Sequence, residues 1–191
     1  MMSPCVIFIN GPKRSGKDTL ANYLVETFRG VGFVQASRFL KEQTNALYGC
    51  PHLPWDWWED TKDVPNDTFE GMSPRQAWID VSERRTKPIH GKEFYGNLVV
   101  GHMRQHSARA WISDCGYEDE AAPILRAFGS DRCRLVRIHR DGHSFDGDSR
   151  TFIKLPGVET IDFTNNGTRG EFFSQANRKL GSLLQQMVGG E

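Results

Sequence analysis

The sequence predicts an α/β fold, with a central parallel sheet, helices on both faces, a small inserted helical lobe and a lid. Apolar runs the length of a strand alternate with helical patterns along the 191 residues. The runs are apolar almost throughout, which is typical of strands that helices cover on both faces. A glycine-rich turn joins the first run to the first helical pattern, at the kind of position where such folds bind ligands.

The patterns also give the order of the elements. They place strands at about 4–9, 33–36, 110–114, 134–139 and 160–163. They place helices at about 16–29, 38–48, 91–107, 118–128 and 170–187, with a further helix that begins near residue 73. Ser73 suits the N-cap of that helix, and Pro74 suits its first position because a helix start leaves that N–H unpaired. We expect residues 1–191 to form one domain, with the lobe at about 50–107 and the lid at about 140–151.

Residues 11–18 have the spacing of a phosphate-binding loop between the first strand and the first helix. Gly11 and Gly16 enclose four residues, and Lys17 follows directly. Glycines let the chain curl so that its N–H groups point inward at phosphate oxygens, and the helix N-terminus adds positive charge. Lys17 brings a mobile ammonium to the outer phosphates of a nucleotide. We therefore predict that this loop, including Ser15, binds a nucleoside triphosphate and that Lys17 is catalytic.

The residues after Lys17 depart from the usual loop, in which a Ser or Thr hydroxyl follows the lysine and binds Mg²⁺. Here Asp18 follows, and Thr19 comes next. The metal contact then comes from Thr19, from Asp18 directly, or from Asp18 through water. Lys13 and Arg14 place two more cations in the loop, which suits a polyphosphate, although solvated surface charge explains them as well.

The composition limits the classes of partner and compartment. The 24 basic and 24 acidic side chains cancel, which argues against wholesale electrostatic coating of nucleic acid but leaves room for a local basic groove. The four cysteines lack C-x-x-C and paired-histidine spacing, so we expect reduced thiols in a cytoplasmic protein. No run approaches the roughly 20 apolar residues of a membrane span, and the short first run suits a buried strand better than a signal peptide. The oligomeric state stays open, with a homodimer among the options.

Asp114 ends a predicted strand, where a carboxylate commonly binds Mg²⁺ or takes a proton from the acceptor in phosphate-loop folds. The alternative is that Asp114 caps the following helix. Glu118 and Glu120 lie in the first turn of that helix, where compensation of the helix dipole explains them better than catalysis. We expect Asp114 to be catalytic and to be a metal ligand alongside Asp18 and Thr19.

The predicted lid is polar, contains two glycines and carries Arg140 and Arg150. Arginines on a closing loop neutralise the charge that develops on a transferred phosphoryl group and help to exclude water. We predict both arginines to be catalytic, with a merely solvated loop as the alternative. Asn165 belongs to an Asn-Asn-Gly turn after the last strand, and we expect that turn to lie near the donor base.

Candidate acceptor-binding residues lie in the second helix and in the lobe. Arg38 and Lys41 are three residues apart near a helix start, so both can face one cleft, although helix-surface charge is nearly as good an explanation. Trp57 belongs to a tryptophan cluster that either stacks a base or forms the core of the lobe. Arg75 is a candidate to grip an acceptor phosphate, and Glu83 lies in a charged segment of the same lobe.

Taken together, the motifs resemble those of the phage deoxynucleotide monophosphate kinases over nearly the whole chain. The loop at 13–19, the Ser-Pro-Arg helix start at 73–75, the Ile-Ser-Asp segment at 112–114 and the turn at 163–168 are all similar to elements of that family. The resemblance implies a P-loop kinase fold, ATP as the phosphoryl donor and Mg²⁺ as the cofactor. It also implies a deoxynucleotide-type acceptor.

The departures from that family cluster on the acceptor side. Gly116 stands where the family usually has an arginine, and Val81-Ser82-Glu83 stands where it has Gly-Thr-Glu. The altered segments are similar to a sister branch that phosphorylates 5-hydroxymethyl-deoxyuridine in phage DNA during thymidine hypermodification. The resemblance leaves two acceptors in the host cytoplasm: modified phage DNA, narrowly favoured because a phosphate-binding arginine is missing, and a free deoxynucleoside monophosphate. A neutral alcohol acceptor needs a general base, for which Asp114 is the candidate.

Overall fold

The sheet lies at the centre of the molecule. The structure is a computed structural model that describes residues 5–188, so the predicted start of the first strand at residue 4 lies outside the described residues. Within the described residues, five strands form one fully parallel sheet in the order β2-β3-β1-β4-β5. Their bounds are β1 Cys5–Asn10, β2 Val31–Gln35, β3 Ala110–Asp114, β4 Cys133–His139 and β5 Glu159–Thr164.

The connections between strands fix where a ligand binds. After β1 the chain runs to β2 at one edge of the sheet, and after β4 it runs to β5 at the opposite edge. Because β1 and β4 are neighbours, their carboxyl ends open a crevice at the point where the winding reverses. The glycine-rich loop follows β1 and the predicted lid follows β4, so both line this crevice.

Each predicted helix is present, and one further short helix, over Lys87–His90, was not predicted. The predicted bounds of α6 match the structure, and the other predicted helices differ by a few residues at their ends. Ser73 caps α3 as expected: its hydroxyl oxygen accepts a hydrogen bond from the N–H of Gln76, whose own side chain accepts from the Ser73 N–H. The bounds are α1 Lys17–Thr27, α2 Ala36–Leu47, α3 Pro74–Asp80, α4 Lys87–His90, α5 Phe94–Gln105, α6 Glu118–Phe128 and α7 Arg169–Val188. Wider π-helical turns over Val81–Thr86 join α3 to α4.

Two apolar layers cover the two faces of the sheet. On one face, Leu20 and Leu24 of α1 and Leu180 of α7 pack on the strands in a fully buried cluster. On the other face, helices α5 and α6 pack in a second cluster that also contains residues 153, 155 and 158, which follow the lid. Each fully buried aliphatic side chain stabilises the fold by about 1.5–3 kcal/mol through burial. The prediction of helices on both faces is therefore confirmed.

The inserted lobe has a small core of its own. Phe69 is fully buried there and meets the ring of Trp58 edge-on at 5.0 Å, and Trp78 joins the same cluster. Helix α5 falls within the predicted lobe range of about 50–107, but its apolar side chains pack against the sheet. The lobe core is thus built by the chain between α2 and α4.

The lid loop, which we define as residues 140–151, has one bridge between Arg140 and His143 and otherwise no regular structure. The chain after it is tied to the sheet: the Ile153 N–H donates to Asn10 Oδ1 at 3.2 Å, and Arg137 Nε donates to the Ile153 carbonyl oxygen at 3.1 Å. Both ends of the lid loop are therefore fixed beside the crevice. Within residues 5–188, no helix combines the length and the hydrophobicity that crossing a membrane requires.

Candidate active site

The loop between β1 and α1 has the backbone geometry that its glycines predict. Gly16 has a φ of 107°, and Arg14 has a φ of 63°, in the left-handed region. A Cβ on Gly16 would lie 2.5 Å from Asn165 Nδ2, and a Cβ on Gly11 would lie 2.7 Å from Ser15 Oγ and 2.9 Å from the Ile138 carbonyl oxygen. Both positions therefore exclude any side chain, and the loop keeps the tight curl that phosphate binding requires.

Two side chains hold this loop in shape. Lys17, the first residue of α1, donates from Nζ to the carbonyl oxygens of Gly11 at 2.9 Å and Pro12 at 3.0 Å. Asn165, from the turn after β5, donates from Nδ2 to the Ser15 carbonyl oxygen at 2.7 Å. Burial lowers the pKa of Lys17, and the neighbouring Asp114 carboxyl opposes that shift. The sequence predicted a role for Asn165 in ATP binding, and its position against the loop makes it a support of the loop as well.

Lys17 and Arg150, two of the residues predicted for catalysis, lie near Asp114. This residue ends β3 directly beside Ile9 of β1, which places it next to the loop. Burial raises the pKa of Asp114 to about 6 and the nearby Asp18 adds to the rise, whereas Lys17 and Arg150 lower it. A half-buried carboxyl with a pKa near neutrality is suited to accept a proton in a transfer reaction.

Arg150 reaches the same place from the lid loop. Its Nη2 and Nε donate to the carboxylate oxygens of Asp148, at 2.6 Å and 3.0 Å for the shortest contacts, and both side chains are about one-quarter exposed. Its stem lies over Gly116, where a Cβ would meet Arg150 Cδ at 2.9 Å. Arg140, at the other end of the loop, donates from Nη1 to the Arg14 carbonyl oxygen at 2.9 Å. The lid loop therefore contacts the phosphate-binding loop and the end of β3.

Lys41, one of the residues predicted to bind the acceptor, is buried against the lobe. This lysine is only 8% exposed, and its ammonium hydrogen-bonds Glu59 and lies 4.3 Å from the ring centre of Trp55 and 4.8 Å from that of Trp78. Cation–π contacts and an ion pair compensate the lysine for its loss of water. Trp57 points elsewhere, with 62% of its surface exposed. The tryptophan cluster is thus divided, with one ring in the lobe core, one beside Lys41 and one in solvent.

The remaining acceptor candidates have ion-pair partners. Arg38 pairs with Glu42 at 2.8 Å on the surface of α2, so it does not share the partner of Lys41. Glu83 pairs with Lys87 at 2.5 Å. Arg75 donates to Asp63 at 2.6 Å, and the Lys13 ammonium lies 4.0 Å from the same carboxylate. Asp63 therefore links the lobe to the phosphate-binding loop.

Sequence reasoning missed two residues of this site. Asn10, at the end of β1, is 1% exposed and bridges two loops, because its Nδ2 donates to the Cys115 carbonyl oxygen at 3.0 Å while its Oδ1 accepts from Ile153. Glu120 Oε2 accepts from the Gly116 N–H at 3.3 Å, and burial raises the pKa of its carboxyl to about 7. A polar residue that ends an apolar strand was the available signal for Asn10, whereas the inward turn of Glu120 had none.

The residues proposed as metal ligands fit Mg²⁺ in partnership with nucleotide phosphates. Asp18 is exposed and its Oδ1 accepts from Gln35 Nε2 at 3.2 Å, while Thr19 is half-buried on the first turn of α1. Residues 5–188 contain no group of three or more His, Cys, Asp or Glu side chains arranged as a metal site. Mg²⁺ commonly uses one or two carboxylates together with substrate phosphates, and the Asp18 carboxyl lies near enough to Asp114 to help raise its pKa. Ser15 Oγ, buried without a hydrogen-bond partner among the described residues, is a further polar group facing into the loop.

Comparisons with known proteins show the fold. No protein-family model and no curated protein matches the chain. The unliganded structure of a sugar kinase from Janibacter sp. HTCC2649 superposes with a TM-score of 0.50 at 11% identity, covering 93% of this chain and 95% of that chain. A gluconokinase from Sinorhizobium meliloti 1021 gives 0.49 at 12% identity over 98% and 97% of the two chains. A thymidylate kinase from Candida albicans gives 0.29 at 10% identity over 95% and 92%. The sugar kinase and the parallel sheet together confirm the predicted fold class, an α/β fold whose central parallel sheet is covered by helices on both faces.

Proposed function

We propose that this protein is an ATP-dependent kinase that phosphorylates a deoxynucleotide-type acceptor, narrowly favoured as the 5-hydroxymethyl group of 5-hydroxymethyl-deoxyuridine in phage DNA. The observation that carries the kinase assignment is the position of Lys17 and Asp114 at the same end of the sheet. Lys17 donates to the Gly11 carbonyl oxygen just after β1, and Asp114 pairs with Ile9 of β1. Phosphoryl transfer is catalysed mainly by positioning and by neutralisation of charge. The loop, one ammonium and a proton-accepting carboxyl supply these functions in one place.

Each residue of the donor side has a role in this reaction. The N–H groups of residues 11–17 and the start of α1 hold the donor phosphates, and Lys17 moves from the loop carbonyls to the outer phosphates. Arg140 and Arg150 neutralise charge from the lid side. Bound Mg²⁺ would supply further neutralisation of the phosphates from Asp18, Thr19 and Asp114.

The acceptor side favours a neutral hydroxyl over a phosphate. The lobe-side cations Lys41, Arg75 and Lys87 are each paired with a carboxylate of this chain. A phosphate of a free nucleotide needs fixed cations that are free to bind it, and it would have to displace these carboxylates. An alcohol needs only a proton acceptor, and Asp114 takes the hydroxyl proton as the oxygen attacks the γ-phosphorus and ADP departs.

The second candidate acceptor is a free deoxynucleoside monophosphate. Arg75 and Asp63 are 39% and 57% exposed, so their ion pair is weak and a nucleotide phosphate could displace the carboxylate. The zero net charge of the chain also counts mildly against DNA as a partner. On this reading the product is a deoxynucleoside diphosphate and the pathway is deoxynucleotide metabolism.

One transfer assay tests both acceptors. The protein is incubated with γ-labelled ATP and Mg²⁺, separately with 5-hydroxymethyluracil DNA, with matched thymine DNA, with the four deoxynucleoside monophosphates and with a panel of sugars. We expect label on 5-hydroxymethyluracil DNA and none on thymine DNA. Label on deoxynucleotides alone would show that the acceptor is the second candidate, a free deoxynucleoside monophosphate. Label on no acceptor, with ATP bound but intact, would identify a nucleotide-binding switch instead of a kinase.

A further inference from the structure

We propose that Gly116 and Asp148 are positioning residues that together hold the Arg150 guanidinium at the carboxyl end of β3, the strand that Asp114 ends. This inference rests on the proposed kinase function and assigns residues that make its lid arginine effective. Gly116 supplies a notch for the stem of Arg150, and Asp148 supplies an anchor for its head.

The notch exists because residue 116 has no side chain. A Cβ at this position would lie 2.9 Å from Cδ and 3.6 Å from Cγ of Arg150, while its next neighbour, Glu120 Oε2, would lie at an ordinary 3.9 Å. Gly116 is not among the glycines with positive φ, so its backbone conformation is open to other residues. The Arg150 stem is therefore the main group that an added methyl group would displace. The Gly116 N–H, bound to Glu120 at 3.3 Å, fixes the floor of the notch.

The anchor is a charge-assisted fork. Arg150 Nε donates to Asp148 Oδ1 at 3.0 Å, Arg150 Nη2 donates to Oδ2 at 2.6 Å, and the Arg150 main-chain N–H donates to Oδ1 at 3.0 Å. This arrangement fixes both the plane of the guanidinium and the local turn of the loop. It uses one edge of the guanidinium and leaves the Nη1 hydrogens and one Nη2 hydrogen for a ligand.

The notch and the anchor place the arginine in the crevice. Gly116 lies two residues after Asp114, the last residue of β3, so the Arg150 stem that packs over Gly116 is held at the carboxyl end of that strand. The adjacent Ser149 hydroxyl lies 2.7 Å from the Tyr117 hydroxyl, which ties the same stretch of the loop to the segment after β3. Without these contacts a long, flexible side chain on an irregular loop would lose its orientation. Prior positioning of charged groups is what makes them effective in transfer reactions.

A double-mutant cycle tests the role of Gly116. We expect Arg150→Ala to lower kcat by about 10²–10³-fold and Gly116→Ala to lower it by about 10–100-fold, with KM for ATP nearly unchanged. On the Arg150→Ala background, Gly116→Ala should have no further effect, because the notch acts only through the arginine. Gly101→Ala is the matched control, since a Cβ there has nothing within 4 Å. Equal losses from Gly116→Ala on both backgrounds would overturn the assignment of Gly116.

The role of Asp148 is tested by changing its charge and its length. Asp148→Asn should lower kcat by about tenfold or more, and Asp148→Glu, which keeps the charge, should recover part of the loss. Asp146→Asn, in the same loop and bound to Ser144, is the matched control and should behave as the wild type. Faster transfer by Asp148→Asn would show that Asp148 competes with phosphate for Arg150, which contradicts a positioning role.

The failure of this inference is distinguishable from failure of the proposed function. Binding of ADP with aluminium fluoride, a mimic of the transferring phosphoryl group, is measured by calorimetry and needs no acceptor. We expect Gly116→Ala and Asp148→Asn to weaken this complex by about tenfold while ADP alone binds as in the wild type. Unchanged affinity for the mimic would overturn the inference even if the wild-type protein transfers phosphate. A wild-type protein that binds ATP but phosphorylates no acceptor would overturn the proposed function alone.

Discussion

The donor loop and the acceptor side of this crevice are built in different ways. The loop over residues 11–17 is specified by its own sequence, through two glycines that exclude side chains and a lysine that returns to the loop carbonyls. The predicted acceptor side is shaped by ion pairs between separate segments, such as Lys41 of α2 with Glu59 and Arg75 of α3 with Asp63. A loop whose shape depends on its own glycines can be recognised from residue spacing alone. The partners of paired charges cannot be recognised in this way, because they depend on which segments the fold brings together.

The largest loss of activity is expected from a substitution in the donor loop, at Lys17. Lys17→Ala removes the ammonium that contacts the loop carbonyls and faces Asp114, so we expect kcat to fall by roughly 10³-fold or more. The circular dichroism spectrum should remain that of the wild type, because Lys17 is not part of either apolar layer. Arg178→Ala, which removes an exposed cation of α7, is the control. Near-normal turnover by Lys17→Ala would remove the argument for the phosphate-binding loop.

The next largest effect is expected at Asp114, where the two halves of the crevice meet. Asp114→Asn should lower kcat by about 10²-fold or more if this carboxyl accepts the hydroxyl proton. In the wild type, kcat/KM should rise with pH to a plateau above about 6, since the base must be ionised and burial raises its pKa to about 6. The variant should lose this dependence, which a pH–rate profile measures. Asp119→Asn, an exposed carboxylate of α6, serves as the control.

A smaller effect is expected from substitutions in the two apolar cores, the lobe core and the main core beneath the donor loop. These substitutions test whether the acceptor side and the donor loop depend on different cores. Phe69→Ala opens a cavity in the lobe, where Phe69 is fully buried, and should cost about 3–5 kcal/mol of local stability. We expect the acceptor KM to rise about tenfold while ATP affinity stays near that of the wild type, because the lobe core is separate from the sheet. Phe163→Ala, in the main core, is the contrasting variant and should weaken ATP binding too. Equal loss of ATP affinity in both variants would show that the halves are not independent.

The smallest effect concerns stability, and its sign follows from the raised pKa of Asp114. A carboxyl whose pKa rises from 3.8 to about 6 on folding stays protonated in the native protein while the unfolded chain ionises, so it lowers stability as pH increases from about 4 to 6. Asp114→Asn should therefore increase the free energy of unfolding by roughly 2–3 kcal/mol at pH 8, with the difference vanishing near pH 4. Urea unfolding at the two pH values measures this. A variant less stable than the wild type at pH 8 contradicts the burial argument.

The sequence predicted the sheet and most helices because apolar runs and caps are local signals. The five strands, the Ser73 cap and the turn of the loop at Gly16 all follow from neighbours in the chain. The partners of charged residues did not follow in the same way. The spacing of Arg38 and Lys41 suggested one shared cleft, which stays a prediction. The spacing did not give their partners, which are Glu42 for Arg38 and Glu59, eighteen residues beyond Lys41, for Lys41.

The inward turn of Glu120 shows the same limit. Its place in the first turn of α6 suggested a role toward the helix dipole, and only the fold reveals that its carboxylate accepts from the Gly116 N–H at 3.3 Å. The lid arginine is similar, because Arg150 and Gly116 are distant in the chain and meet only when the loop after β4 crosses the end of β3. A single sequence does not show which partners such residues meet through tertiary contacts.

Calorimetry with ATP and Mg²⁺ tests the central claim most directly, namely that the main chain of residues 11–17 encloses the phosphates of a nucleotide and Lys17 completes the site. The account predicts saturable heat from a single site in the wild type and much weaker binding by Lys17→Ala, both with native circular dichroism spectra. Well-folded wild-type protein that shows no heat of binding would contradict the account, whichever molecule accepts the phosphate.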